Sequence, residues 1–312
     1  MIYYYERMDK YAMSAPRKGS ADFTLKNMKK RESSMRTILE RNEEYFKTAK
    51  EKTSRKLHQL FVLSLFGGIF SAFGSIGFAF GQYYSGSRLV GALIFPMGII
   101  LTTLAGADVF MGNALISMPV LAGEVKLSKF LKTHALVFIG NFIGAFLIAS
   151  LTAASGVLGG GITESVIATA VAKAELAPYQ SIIRGILCNM LVTLGVWSAV
   201  VAKSAAGKFM ALYFPIVVFV SAGFENAITN VYFLTSGAFA SLLYNGSSEL
   251  GVILYGFVKN LLHVAIGNMI GGMAIGALYR VAYVEKHKNQ EKDNQSLHNY
   301  TIIEEQPSRK MR

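Results

Sequence analysis

The sequence has a single cysteine, Cys188. That excludes an internal disulfide and a thiolate metal cluster, and on an apolar helix Cys188 reads as packing. Charge is scarce as well. Asp, Glu, Lys and Arg make up 16% of the residues, against about 25% in a soluble domain. The scarcity is uneven. Residues 1–58 hold 15 of the 31 Lys and Arg, whereas long stretches between Gln59 and Tyr279 hold none. This contrast fits membrane spans with soluble ends. No nucleophile, base and orienting group stand together, and no metal-ligand cluster exists, so neither an enzyme nor a cofactor is expected. No secretory signal precedes the first apolar segment, which is expected to serve as the membrane-targeting element itself.

What is present is apolar sequence, 52% of the chain. It falls into six spans: Leu60–Phe80, Leu89–Met118, His134–Leu158, Ile182–Val201, Phe209–Thr235 and Leu250–Tyr279. Each is long enough to cross about 30 Å of hydrocarbon as a helix. The net charge of +12 would suit a nucleic-acid partner. The basic residues instead flank apolar segments, as the positive-inside pattern requires, so the expected partner is the lipid bilayer and not nucleic acid. With both termini inside, 27 of the 31 Lys and Arg lie on the inner side. The remaining four are Arg88, Lys173, Arg184 and Lys259. This predicts a multi-pass membrane protein with cytoplasmic N- and C-termini, in the plasma membrane.

Three regions follow: a basic arm at 1–58, a channel domain at 59–282 and a cytoplasmic tail at 283–312. In the arm, apolar residues from Leu25 to Phe46 recur at helical spacing among Lys, Arg and Glu. They suit an amphipathic helix on an anionic inner membrane surface, or equally a solvated helical arm. Asn245-Gly246-Ser247 is a glycosylation sequon on the outer side, while those at Asn294 and Asn299 lie inside.

Two motif pairs recur in register. Ala105-Gly106-Ala107-Asp108-Val109-Phe110-Met111-Gly112-Asn113 in span two parallels Ala222-Gly223-Phe224-Glu225-Asn226-Ala227-Ile228-Thr229-Asn230 in span five. Gly140-Asn141-Phe142-Ile143-Gly144 in span three parallels Gly267-Asn268-Met269-Ile270-Gly271 in span six. Each half has three spans, so the second half inserts upside down and the fold is an all-α, inverted three-helix repeat. Acid, Gly and Asn in mid-span are costly in lipid. Broken backbone is tolerated only where it faces protein or a watery cavity. Spans two and five are therefore predicted to be interrupted, near Asp108 to Gly112 and near Gly223 to Asn226. Asp108, Asn113, Glu225 and Asn230 are expected to hold the breaks rather than touch a solute, with Glu225 held by backbone donors. The Gly140/Gly144 and Gly267/Gly271 pairs read as close helix packing.

These residues resemble the formate/nitrite transporter family. Gly223-Phe224-Glu225-Asn226-Ala227-Ile228-Thr229-Asn230 is similar to its span-five signature, and Gly106-Ala107-Asp108-Val109-Phe110 to its span-two loop. Gly185-Ile186-Leu187-Cys188-Asn189 with Val196-Trp197 is similar to its span four. Asn260 with Gly267-Asn268-Met269-Ile270-Gly271-Gly272 is similar to its span six. The resemblance covers about residues 60–282. It implies an aquaporin-like fold, a homopentamer with one pore per protomer, and passage of small monovalent anions or their weak acids: formate, nitrite, lactate or hydrosulfide. It implies that Lys173, between spans three and four, attracts the anion, which isolated charge at a pore mouth does by simple electrostatics. It further implies pore positions at Phe110, Met111, Asn189 and Asn226. Phe95, Ile99 and Phe219 would form one apolar constriction, with Val192 at a matching pore position.

Three departures from the family pattern stand out. Asn226 occupies the place of the family's central histidine, Met111 that of a small hydroxyl residue, and His263 that of a proline. Asparagine donates hydrogen bonds but does not titrate, whereas histidine carries charge near neutrality. Two rival functions remain. One is an aquaporin-like neutral-solute channel, which the lack of paired Asn-Pro-Ala motifs disfavours. The other is a transport-deficient membrane scaffold or sensor working through the long tails.

Overall fold

The structure, a computed structural model, describes residues 38–284. All regular structure among the described residues is helical. Helix α1 (Ile38–Ser54) precedes the first span, α2 (Leu57–Ser85). Span two is made of α3 (Arg88–Ile94), α4 (Met97–Ala105), α5 (Phe110–Asn113), a 3-10 turn at Ala114–Ile116 and α6 (Ser117–Leu121). Span three is α7 (Leu127–Ala154), followed by α8 (Ile162–Ala174). Span four is α9 (Pro178–Val201), and span five is α10 (Ala205–Ser221) and α11 (Ala227–Tyr244). Span six is α12 (Leu250–Tyr279), ending in a π turn at Arg280–Val284. Six of these stretches are long and apolar enough to cross a membrane. Helix α8 lies between spans three and four, where sequence reading assigned no element.

The breaks fall at Gly106–Val109 and Ala222–Asn226. Gly112, placed in the first break on sequence, belongs instead to helix α5. Each half-helix ends on a left-handed glycine, Gly106 at φ 73° and Gly223 at φ 75°. Only glycine adopts that geometry without strain, and it stops the helix. The amide of Ala107 then reaches Thr102 O at 2.9 Å, and that of Phe224 reaches Phe219 O at 3.0 Å.

The two halves are built alike, contact by contact. Asn141 on α7 accepts from the Phe110 amide at 2.8 Å and donates to Ser64 O and Asp108 O. Asn268 on α12 accepts from the Ala227 amide at 3.0 Å and donates to Gly185 O and Glu225 O. The Asp108 amide donates to Leu63 O, and the Glu225 amide to Arg184 O. Each asparagine thus satisfies backbone groups that the break strips from the helix and that lipid could not satisfy. Close packing lets it reach. A Cβ on Gly144 would collide with Leu65 O, and one on Gly271 with Ile186 O.

Helix α1 packs on the channel body. Tyr45 and Ala49 are buried, and Tyr45 meets Trp197 edge-on at 5.9 Å. Trp197 in turn lies tilted against Tyr279 at 4.8 Å. A protein surface, not a membrane surface, covers this part of the arm. The stretch Leu25–Thr37 of the expected amphipathic helix and the sequons at Asn294 and Asn299 lie outside the described residues.

Candidate functional site

Three cavities lie end to end through the helix bundle. The one beside α1, of about 260 Å³, is lined by Lys52, Arg55, Ile99, Thr102, Val109, Asn113 and Val196 among others. A central chamber of about 20 Å³ is lined by Phe95, Ile99, Val109, Met111, Val192, Ile216, Phe219, Asn226 and Thr229. A third cavity, of about 350 Å³, holds Arg88, Lys173, Arg184 and Glu225. Ile99 and Val109 border both the α1-side cavity and the chamber. Phe95, Phe219 and Thr229 border both the chamber and the Lys173-side cavity. The path therefore narrows to a dry apolar waist between two wider, charged vestibules.

The waist is built by the break geometry. Phe95 on the α3–α4 kink and Phe219 near the end of α10 meet edge to face at 5.7 Å. Ile99 lines the same chamber as these two rings. It sits one turn further along α4, on the α1 side of the chamber. Val192 lines the chamber itself. Asn226 is the N-cap of α11: its Oδ1 accepts from the amides of Ile228 at 3.0 Å and Thr229 at 3.3 Å. With the oxygen so engaged, the amide nitrogen is the group left to donate to the chamber.

Beside each vestibule stands one buried carboxylate paired with cations that line it. Glu225 is 5% exposed, pairs with Lys173 Nζ at 2.9 Å, and accepts from Asn230 Nδ2 at 2.6 Å. The expectation that backbone donors hold Glu225 is therefore corrected: side chains do, because the nearby amides are taken by Asn226 and Asn268. Lys173 is not isolated either. It stands in the last turn of α8, where the helix dipole favours a cation, with Nζ 5.2 Å from the centre of the Phe233 ring. Asn260 bonds its carbonyl at 2.8 Å and Asn230 Nδ2 at 2.7 Å, so one residue ties α8 and α11 together.

The other vestibule repeats this plan. Asp108, fully buried, pairs with Lys52 at 2.7 Å and with Arg55. Asn113 accepts from Lys52 at 2.8 Å and donates to Asp108 at 3.4 Å. Lys52 precedes Lys173 by the same number of positions that separates Leu63 from Arg184. The repeat thus takes in α1 and α8 as well as the spans. Sequence reading missed Lys52 and Arg55. A buried aspartate matching a glutamate that has a lysine was the signal that could have found them.

Two expected pore residues lie elsewhere. The Phe110 ring packs between His134, at 4.4 Å, and Phe138, at 5.0 Å, since its backbone is fixed by Asn141. Asn189 is fully buried against span six and donates to Asn268 O at 2.7 Å. Neither borders any of the three cavities. His263 turns its Nδ1 to Lys259 O, at 2.6 Å. Among the described residues no group of His, Cys, Asp and Glu could hold a metal.

Six long apolar helices, two broken spans and a waisted path between charged vestibules define a multi-pass membrane transport protein. The chain belongs to the formate/nitrite transporter family, whose sequence profile matches residues 40–282. That match begins within α1, earlier than the motifs suggested. The chain is 33% identical over 260 residues to the uncharacterized transporter YrhG of Bacillus subtilis, covering 78% of this chain and 92% of the relative. It is 28% identical over 258 residues to the formate channel FocA of Escherichia coli, covering 76% and 90%. Two solved structures, each 25% identical, are also similar. A channel described as an FNT family ion channel superposes with a TM-score of 0.69, covering 78% of this chain and 98% of its own. A pentameric formate channel with formate bound superposes at 0.64, covering 73% and 98%.

Proposed function

We propose that the protein is a channel-like facilitator of small monovalent anions or the weak acids they form, with formate and nitrite as the leading substrates. The observation that carries this is the pairing of cationic vestibules with a dry waist. Arg88, Lys173 and Arg184 against Glu225 at one end, and Lys52 with Arg55 against Asp108 at the other, leave an excess of positive charge that raises the local anion concentration. Between them, Phe95, Phe219, Ile99, Val109 and Val192 penalise a bare charge by several kcal/mol or more. An anion that takes up a proton in the vestibule crosses the waist far more easily. Asn226, where family members carry a histidine, donates a hydrogen bond to the passing solute without exchanging a proton. The proton then travels with the solute from the water of one vestibule to that of the other. Flanking cations favour this reading over a neutral-solute channel, which would have no use for them.

The assembly we propose is a homopentamer with one path per protomer, by similarity to the pentameric formate channel. The excess of Lys and Arg on the α1 side supports an orientation with both termini in the cytoplasm, and the plasma membrane is the site we propose. The channel body corresponds to residues 59–282, flanked by the arm 1–58 and the tail 283–312, with α1 the part of the arm that docks. Stopped-flow flux in proteoliposomes tests the function. Formate and nitrite should equilibrate much faster than in empty liposomes, and glycerol should not. Equal acceleration of glycerol would replace this reading with a neutral-solute channel. No acceleration of any solute would leave the scaffold.

A further inference from the structure

Three of the cations in the outer half of the path meet in one cavity with one carboxylate: Arg88, Lys173 and Arg184 with Glu225. Their electrostatics do not balance. Lys173 and Glu225 neutralise each other at 2.9 Å. Arg88 spends Nε and Nη2 on a neutral group, the Val220 carbonyl at the end of α10, at 3.1 and 3.0 Å. Its guanidinium also lies 5.4 Å above the Phe78 ring, and the Glu225 carboxylate favours its charge. The Arg184 side chain makes no hydrogen bond or ion pair with any described residue. The two guanidinium charges act on each other unfavourably, by less than Glu225 favours Arg88, and the cavity's three cations still outnumber its one carboxylate. Two like charges facing a partly enclosed, low-dielectric space are stabilised by an anion placed between them.

We infer that Arg184 and Arg88 form a binding site for a small doubly charged oxyanion of the sulfate or oxalate class, seated in the Lys173-side vestibule above the waist. The inference rests on the transport reading only for its consequence, not for the site. Arg184 supplies a positive charge and a free planar donor fork, and Arg88 a second charge with the N–H groups not spent on Val220, which suit a planar or tetrahedral oxyanion. The 350 Å³ cavity takes such an ion together with several waters, each about 30 Å³ in the liquid. The ion cannot go further. Desolvation rises with the square of the charge, so the ring of Phe95 and Phe219 that stops a bare monovalent anion stops a dianion more firmly. A bound dianion therefore occupies the vestibule and blocks monovalent flux from that side.

Thermal unfolding of the detergent-solubilised protein is measured in sodium sulfate, sodium oxalate and sodium chloride at matched ionic strength. Sulfate and oxalate should raise Tm saturably and chloride should not. Arg184→Gln should weaken the apparent affinity at least about tenfold, and Arg184→Lys should fall between it and the wild type. The Arg184 carbonyl, which holds the Glu225 amide, is untouched by either change. In vesicles, sulfate on the Lys173 side should slow formate flux in the wild type and spare it in Arg184→Gln. Equal Tm curves for sulfate and chloride would overturn the site, and so would a sulfate effect that survives Arg184→Gln. If no monovalent anion moves at all, the transport reading fails while the Tm series still decides the site.

Discussion

At the residue scale, one ion pair and one amide carry most of the chemistry. Lys173 is 15% exposed in its side chain and touches Glu225, so removing it acts twice. It deletes the attracting charge and strands a buried carboxylate that then repels the same anion. Lys173→Ala should lower anion uptake from that side about tenfold or more, within the range that focused fields reach. Salt should slow the wild type, because charge in a watery vestibule is screened beyond roughly 8 Å at physiological ionic strength. Adding Glu225→Gln to Lys173→Ala should recover part of the loss. Initial rates of formate uptake measure all three, and a Lys173→Ala rate equal to wild type would reduce Lys173 to a structural partner of Glu225. Asn226 separates stability from titration in the same way. Asn226→His trades an N-cap that bonds two amides for a weaker one, at about 1 kcal/mol. It also brings in the only titrating group that would line the chamber. Flux plotted against pH should then acquire a midpoint near about 6.5, with a lower Tm. An unaltered pH profile would show that the side chain at 226 does not meet the solute.

At the element scale, the broken spans depend on one asparagine each. Asn141 makes three hydrogen bonds to main-chain atoms at the first break, and Asn268 makes the same three at the second. Alanine at either position leaves buried backbone groups unpaired, at about 1–3 kcal/mol for each group that water cannot reach. Asn141→Ala and Asn268→Ala should each lower Tm by several degrees and impair flux, and the two should resemble each other closely. A Tm within a degree of wild type for either would mean the break is held by its glycine alone. The symmetry that makes these variants equivalent was legible in the sequence, because Gly-Asn-x-x-Gly recurs at a fixed place in each half and mid-span Asn is hard to explain otherwise. The breaks were legible from Gly106 and Gly223 for the same reason. Helix α8 was not, since its Ala-rich run is too short and too weakly patterned to separate from a loop. The docking of α1 was not legible either. Periodicity shows that a helix has an apolar face but not whether lipid or Trp197 covers it. Phe110 and Asn189 show the converse error. Their amides are claimed by the packing of the spans: Asn141 holds the Phe110 amide, and Asn189 donates to Asn268 O.

At the scale of the whole molecule, the question is what crosses the waist. Both vestibules are wide and charged, and the chamber between them is about 20 Å³, enough for one water-sized group at a time. A formate ion entering it loses nearly all its water. What it gains is the amide nitrogen of Asn226 and the edges of aromatic rings, which return only part of that hydration energy. The neutral acid loses much less. No side chain lining the chamber titrates near neutrality, so the proton is set by the water of the vestibule on the side of departure. Above the pKa of a carboxylic acid, the neutral fraction grows about tenfold for each unit of pH lost. Flux should therefore rise as the source-side pH falls, and should carry little net charge. On the transport reading proposed above, Lys173 and Arg184 oppose this, because cations enrich the anion and favour its deprotonated form. They raise the concentration from which the acid forms, so they steepen the dependence on salt but do not reverse the dependence on pH. The measurement is paired: formate flux by stopped flow and current across a planar bilayer, both from pH 5 to pH 8. Flux that climbs toward acid pH with negligible current is the expected result. Large formate or chloride currents independent of pH would show that Asn226 passes the bare anion, and that the waist is wetter than Phe95 and Phe219 make it.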